Sequence, residues 1–305
     1  MSKDIAKIKE VFNMKFGRVL TAMVTPFTDN GEVDYAEVKR LAVHLMENGN
    51  DSILACGTTA ETPTLTHDEK LNVVKAIKEA VGPNVPVLVG CGGNDTASTI
   101  EAAKEMEAAG ADGLLVVAPY YNKPSQEGMY QHFKAVAEVT SLPVVLYNIP
   151  GRCGVNMTPE LIARLAQIPN IVAVKEAGGS IEQVSQIKQL VEDDFIIYSG
   201  DDSLTLPMMA VGGYGVISVA AHVIGKEIHA MVDAYVDGRV AEAMEWHKKL
   251  YPMFKNLFIT SNPVPVKYAL SQIGFGNGKV RLPLVEANDA EKTVVHGTME
   301  KLGLV

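Results

Sequence analysis

Short apolar runs alternate with longer amphipathic stretches along most of the chain. The runs fall at 19–24, 52–56, 85–90, 113–118, 143–147, 171–175, 195–199 and 215–219. They are continuous in Val, Ile, Leu and Ala rather than alternating with polar residues. Such runs predict strands of a parallel sheet, covered on both faces. Helix signals lie between them. Asp34 with Glu37, and Thr66 with Glu69, have the spacing of a capping box, and Gly49 and Gly110 stand where helices would stop. A helix is expected from about Asp95 to Ala109, another from near Ser125, and a third capped by Thr158 with Pro159 at its first position. Eight strands alternating with helices predict a closed (β/α)8 TIM barrel over 17–224. An open doubly wound sheet is the alternative, but no Gly-x-Gly-x-x-Gly follows the first strand. Before the barrel, Ile5, Ile8 and Phe12 suggest an amphipathic arm over 1–16. After it, helical patterns at 226–236, 241–260 and 264–272 predict a C-terminal helical region, 225–305, packed on the barrel with no low-complexity linker.

Composition narrows the function classes. The 305 residues are 47% hydrophobic, enough for a sizeable core, and the formal net charge of −9 argues against nucleic acid or an anionic membrane as partner. Three cysteines without paired spacing fit a reducing compartment, with no disulfide framework and no zinc cluster. The first ten residues carry charge where a signal peptide needs an apolar core, and no apolar run reaches the length of a membrane span. A cytoplasmic protein is expected. Neither a P-loop, a His-Glu-x-x-His nor an EF-hand pattern occurs, so no metal and no cofactor is expected.

In a barrel of this kind the chemistry collects at the C-terminal ends of the strands. The second run leads into Gly57-Thr58-Thr59-Ala60-Glu61, and the fourth into Pro119-Tyr120-Tyr121-Asn122-Lys123-Pro124. The fifth ends in Tyr147-Asn148-Ile149-Pro150-Gly151-Arg152, the sixth in Lys175, and the seventh in Ser199-Gly200-Asp201-Asp202. Lysine is almost never fully buried unless paired, and burial lowers its pKa and frees an amine for attack on a carbonyl. The plainer reading is that Lys175 reaches out of the strand end to pair with Glu176 or a neighbour. Hydroxyls and N–H groups on a tight turn can bind a small carboxylate, a phenol can relay protons, and an arginine can grip a second carboxylate. The set suits imine chemistry on a small carboxylated substrate. Asp201-Asp202 has no nearby His and reads as loop structure rather than as a metal site. His44, His132, His222, His229 and His247 read as structural.

These five motifs, in this order and spacing, resemble the dihydrodipicolinate synthase / N-acetylneuraminate lyase family over roughly residues 17–300. The resemblance implies a TIM barrel and a pyruvate Schiff base on Lys175. It implies that Thr58 and Thr59 hold the pyruvate carboxylate and that Tyr147 is the central proton shuttle. Thr58, Tyr147 and Tyr121 would form a relay, with Tyr121 arriving from a neighbouring subunit of a homotetramer built as a dimer of dimers. Gly200 and Ile217 match backbone positions that line the pocket. Arg152 and Thr58 point to the synthase branch, in which Arg152 binds the carboxylate of aspartate semialdehyde. A sugar-acid lyase or other pyruvate-dependent aldolase is the alternative, and a non-catalytic barrel is a third reading. Two positions depart from the family pattern. Ala60 stands where many members have Gly, which predicts a turn with an unusual backbone angle that Ala suits poorly. At the family's allosteric lysine site this chain keeps His67, Asn94 and Tyr120. It has Lys70 in place of a second His and Ser98 in place of Glu. An added cation and a lost carboxylate both disfavour a cationic ligand, which predicts weak or absent lysine inhibition.

Overall fold

The eight apolar runs become eight short strands: β1 Val19–Ala22, β2 Ser52–Ala55, β3 Val87–Gly90, β4 Gly113–Val117, β5 Val144–Asn148, β6 Ile171–Glu176, β7 Ile196–Ser199 and β8 Gly215–Ser218. In this computed structural model, which describes residues 16–305, they are ordered β1 to β8 in a closed barrel whose neighbours pair in parallel. The arm expected over 1–16 lies outside the described residues except for Phe16. Every strand residue except Val117 is buried, as continuous apolar runs require.

The predicted helix starts are realised through their caps. Asp34 accepts from Glu37 N to open Tyr35–Glu47, and Thr66 with Glu69 forms a full capping box on His67–Val81. Asp95, Ser125 and Thr158 cap Thr96–Ala108, Gln126–Ala137 and Pro159–Leu165. The strand starts are tied as well. Asp51, just before β2, accepts from the N–H of Val19, and Asp112, just before β4, accepts from that of Val87, both at 2.9 Å. His222, fully buried, accepts from Val24 N at 3.0 Å, and burial pushes its imidazole down to about 4, so it packs neutral.

After β8 come Ala221–Val236, Val240–Asn256, Val264–Gln272 and Asp289–Leu302. The last helix was not anticipated, although its start was legible: Asn288 with Glu291 three residues on makes a capping box. By contact density the chain divides into two compact units. One holds Pro86–Ile217 with the described residues up to Arg18, and the other holds Val19–Val85 with Ser218–Val305.

Candidate active site

Within the first unit, β5 and β6 pair so that Tyr147 lies beside Lys175 and Asn148 beside Glu176. Lys175 is 5% exposed, and its Nζ sits 4.5 Å from the centroid of the Tyr147 ring. Burial drives the amine down to about 8 from its ordinary 10.5; buried Asp202 pulls it back up and Arg152 pushes it further down. Near neutral pH a far larger fraction of this amine is therefore uncharged than of an ordinary lysine, and a nucleophile requires the uncharged form.

Of the partners expected for Lys175, Asp202 acts on it as a charged neighbour, but the Glu176 carboxylate is committed elsewhere. That carboxylate accepts from Gly178 N at 2.6 Å, Asn148 Nδ2 at 2.9 Å and Gln183 Nε2 at 3.1 Å. Successive strand residues face opposite ways, so Glu176 belongs to the face away from Lys175. Asn156 extends the network, accepting from Asn148 and donating to Gln183, both at 2.8 Å. The sequence offers Glu176 only as a partner for Lys175 and gives Asn148 no role. The signal was their place directly after Tyr147 and Lys175.

Gly200, which follows β7, packs onto this lysine. A Cβ there would stand 2.7 Å from Ala177 Cβ and 3.1 Å from Lys175 Cε, so the position admits no side chain without a shift. Asp201 structures its own loop, accepting from Ser203 N and Oγ at 2.9 and 2.8 Å, while Asp202 is the carboxylate that acts on Lys175. Ile217 is a buried residue of β8, and Arg152 stands exposed on the short helix Pro150–Cys153. Tyr121 is 88% exposed with φ 73, and its loop is tied down by Asn122 Nδ2 donating to Asn94 O at 2.8 Å. Tyr120 and Asn94 are in this unit too. Ser98 is occupied locally, its hydroxyl donating to Asp95 at 2.6 Å.

The second unit carries the turn after β2. Thr58–Ala60 forms one 3-10 turn, with Thr59 buried and Thr58 half-buried. The strain expected at Ala60 is absent. The left-handed residue of this turn is Glu61, with φ 57, and Ala60 is not among the residues of positive φ. Thr59 Oγ1 accepts from Asn262 Nδ2 at 2.9 Å, and the Glu61 carboxylate pairs with Lys267 at 2.5 Å. Asn262, Lys267 and Arg281 were missed from the sequence. Lys267 carried a signal of the same kind as Lys175, a lysine set within an apolar stretch, Val264-Pro265-Val266-Lys267. His67 and Lys70 lie in the first turn of His67–Val81.

Residues 15–302 match the dihydrodipicolinate synthetase family. A 4-hydroxy-tetrahydrodipicolinate synthase from Desulforamulus reducens is 55% identical over 291 residues, spanning 95% of this chain and 98% of that one. A dihydrodipicolinate synthase from Cyanidioschyzon merolae, solved with lysine bound, is similar with a TM-score of 0.93 at 47% identity, over 95% of this chain and 99% of that one. A dihydrodipicolinate synthase variant described as the first monomeric one has a TM-score of 0.93 at 42% identity, over 96% and 98% of the two chains.

Proposed function

Because the chain belongs to the dihydrodipicolinate synthetase family, we infer that it condenses pyruvate with aspartate semialdehyde as a 4-hydroxy-tetrahydrodipicolinate synthase. The observation that carries this reading is the Lys175 amine, buried at the end of β6, lowered to about 8 and set against the Tyr147 ring. Its nitrogen adds to C2 of pyruvate, and water leaves with the carbonyl oxygen to give an imine. Loss of a C3 proton gives the enamine, whose C3 attacks the aldehyde carbon of aspartate semialdehyde. The amino group of that substrate then attacks the imine carbon, closes the ring and returns Lys175 as the free amine. No step calls for a metal or an organic cofactor.

In this scheme Thr58 and Thr59 hold the pyruvate carboxylate, and Tyr147 moves protons in a relay with Thr58 and with Tyr121 of a neighbouring subunit. Arg152 takes the carboxylate of aspartate semialdehyde, and the backbones of Gly200 and Ile217 line the pocket. The outward, 88% exposed Tyr121 supports a role across an interface between copies of the chain, in keeping with the proposed homotetramer. Among the described residues no helix is long and apolar enough to cross a membrane, and three free cysteines fit the reducing cytoplasm. Lysine binding at His67, Lys70, Asn94, Ser98 and Tyr120 is weak in this reading, because Lys70 brings a cation and the Ser98 hydroxyl is already committed to Asp95.

The test offers pyruvate with aspartate semialdehyde or with N-acetylmannosamine and reads products by mass spectrometry. A cyclic dicarboxylate from the first aldehyde alone is expected. A nine-carbon sugar acid would place the chain in the lyase branch instead. No product from either, with no borohydride-trapped pyruvate on Lys175, would overturn the enzymatic reading.

A further inference from the structure

The turn Thr59–Glu61 is held residue by residue, and three of the four residues that hold it follow β8. Thr59 Oγ1 accepts from Asn262 Nδ2 at 2.9 Å, and Ala60 O accepts from the hydroxyl of Thr25 at 2.8 Å. Glu61 is held on both carboxylate oxygens, by Lys267 Nζ at 2.5 Å on Oε1 and by Arg281 N at 2.9 Å on Oε2. We propose that the buried Glu61–Lys267 pair, fixed by Arg281, is a positioning device that sets the Thr58–Thr59 hydroxyls for the pyruvate carboxylate. This proposal rests on the reading of the site given above.

Three observations carry it. The first is the backbone of Glu61, at φ 57. A non-glycine residue adopts this conformation where its surroundings over-determine it, and such positions cluster at functional sites. The second is the extent of the surroundings. Lys267 also donates to Lys279 O at 2.8 Å and lies 3.9 Å from the centroid of the Phe27 ring. Arg281 donates to Glu69 through both terminal nitrogens at 2.8 and 2.6 Å, and to Thr64 O and Gly31 O at 2.8 Å. Its guanidinium covers the same Phe27 ring at 4.5 Å. Lys267 and Glu61 are thus buried, at 4% and 3% exposure, with their charged groups met by these partners.

The third observation is energetic logic. A buried ion pair is seldom the most stable filling for its volume, since two apolar side chains avoid the cost of desolvating charges. Retaining it beside a strained residue fits a demand for geometry. The chemistry agrees at Thr59. Because that oxygen accepts from Asn262, its own hydrogen points elsewhere and is available to a carboxylate acceptor. Lys267 already donates to Glu61 and to Lys279 O, which fits an anchor rather than a second nucleophile.

The test is steady-state kinetics on the full-length enzyme, with both substrates varied. Lys267→Met removes the anchor but leaves Glu61 buried and unpaired, so the neutral double variant Glu61→Gln/Lys267→Met is made beside it. Folding is checked by circular dichroism. The expected result, in whichever variant folds, is a rise of about tenfold or more in KM for pyruvate, the loss of one hydrogen bond to a charged group. KM for the aldehyde should stay unchanged, and kcat should change far less than KM for pyruvate. Fewer active molecules, the signature of a merely structural pair, would lower kcat with both KM values intact and overturn the proposal. A folded double variant with normal KM for pyruvate would also overturn it. Borohydride trapping of pyruvate on the wild-type enzyme is the control. Its absence would remove the reading of Lys175 itself, separately from anything seen at Lys267.

Discussion

Replacing the Lys175 amine should make the protein more stable and inactive at once, and the size of the gain follows from the site. An ordinary lysine titrates at 10.5, and burial holds this one at about 8. The folded state therefore binds fewer protons than the unfolded chain between those values, so stability rises with pH across that window. Below about pH 8 the burden is fully present. A difference of roughly two and a half pKa units corresponds to about 3 kcal/mol, and at 5% exposure there is little solvent to screen it. Lys175→Met removes the charge and keeps most of the volume. Urea unfolding at about pH 7 should show a gain of up to about 3 kcal/mol, reduced by whatever the loss of its cation costs buried Asp202. At about pH 9 the gain should fall to roughly 2 kcal/mol, and near pH 10.5 to a few tenths, because the wild-type amine is then neutral in the folded state and half neutral in the unfolded one. A gain that ignores pH would mean that better packing, not charge, stabilised the variant. No gain at all near neutral pH would refute the account of Lys175 as a desolvated amine.

Gly200→Ala puts a methyl 3.1 Å from Lys175 Cε and 2.7 Å from Ala177 Cβ; displacing the amine by a fraction of an ångström should slow borohydride trapping of pyruvate by about tenfold, and an unchanged trapping rate would show that the site yields freely. His229 is raised to about 9, first by its hydrogen bond to Asp51 and also by Asp233. Its stabilisation is therefore complete below the ordinary histidine pKa and lost as pH rises through about 9. For this half-exposed group His229→Gln should cost about 1 kcal/mol near pH 6 and almost nothing near pH 10, and thermal melts at both pH values decide it. Millimolar lysine should leave the steady-state rate nearly unchanged, and strong inhibition would show that Lys70 and Ser98 do not impair the site.

The barrel was legible because its strands are buried on both faces, so each reads as an unbroken apolar run without help from its partners. The caps at Asp34, Thr66, Asp95, Ser125 and Thr158 were legible for a related reason: capping is local, and side chain and target lie three residues apart. Lys175 stood out as a charge at the end of an apolar run. What escaped the sequence is non-local. Thr59 and Asn262 are joined across 203 positions, and Glu61 and Lys267 across 206, so nothing in either stretch announces the other. The strain expected at Ala60 is found one residue on, at Glu61 (φ 57), whose carboxylate is held by Lys267 and by Arg281 N, partners more than 200 positions away.

The pairing of β5 with β6 sets two matched pairs of residues one after the other. Tyr147 matches Lys175 and, one step on, Asn148 matches Glu176. Side chains alternate between faces along a strand, so the first pair sets a phenol ring against an amine and the second joins an amide to a carboxylate at 2.9 Å on the opposite face. The apolar pattern ends at these positions, and the expected strands stopped there, at residues 147 and 175. The backbone ladder nevertheless continues through Asn148 and Glu176. A polar residue can stay buried in a sheet when its hydrogen bonds are met, and Gly178, Gln183 and Asn148 meet those of Glu176. The Asn148–Glu176 hydrogen bond thus joins the two strands one residue beyond Tyr147 and Lys175. It does so on the face where a carboxylate does not compete for the amine.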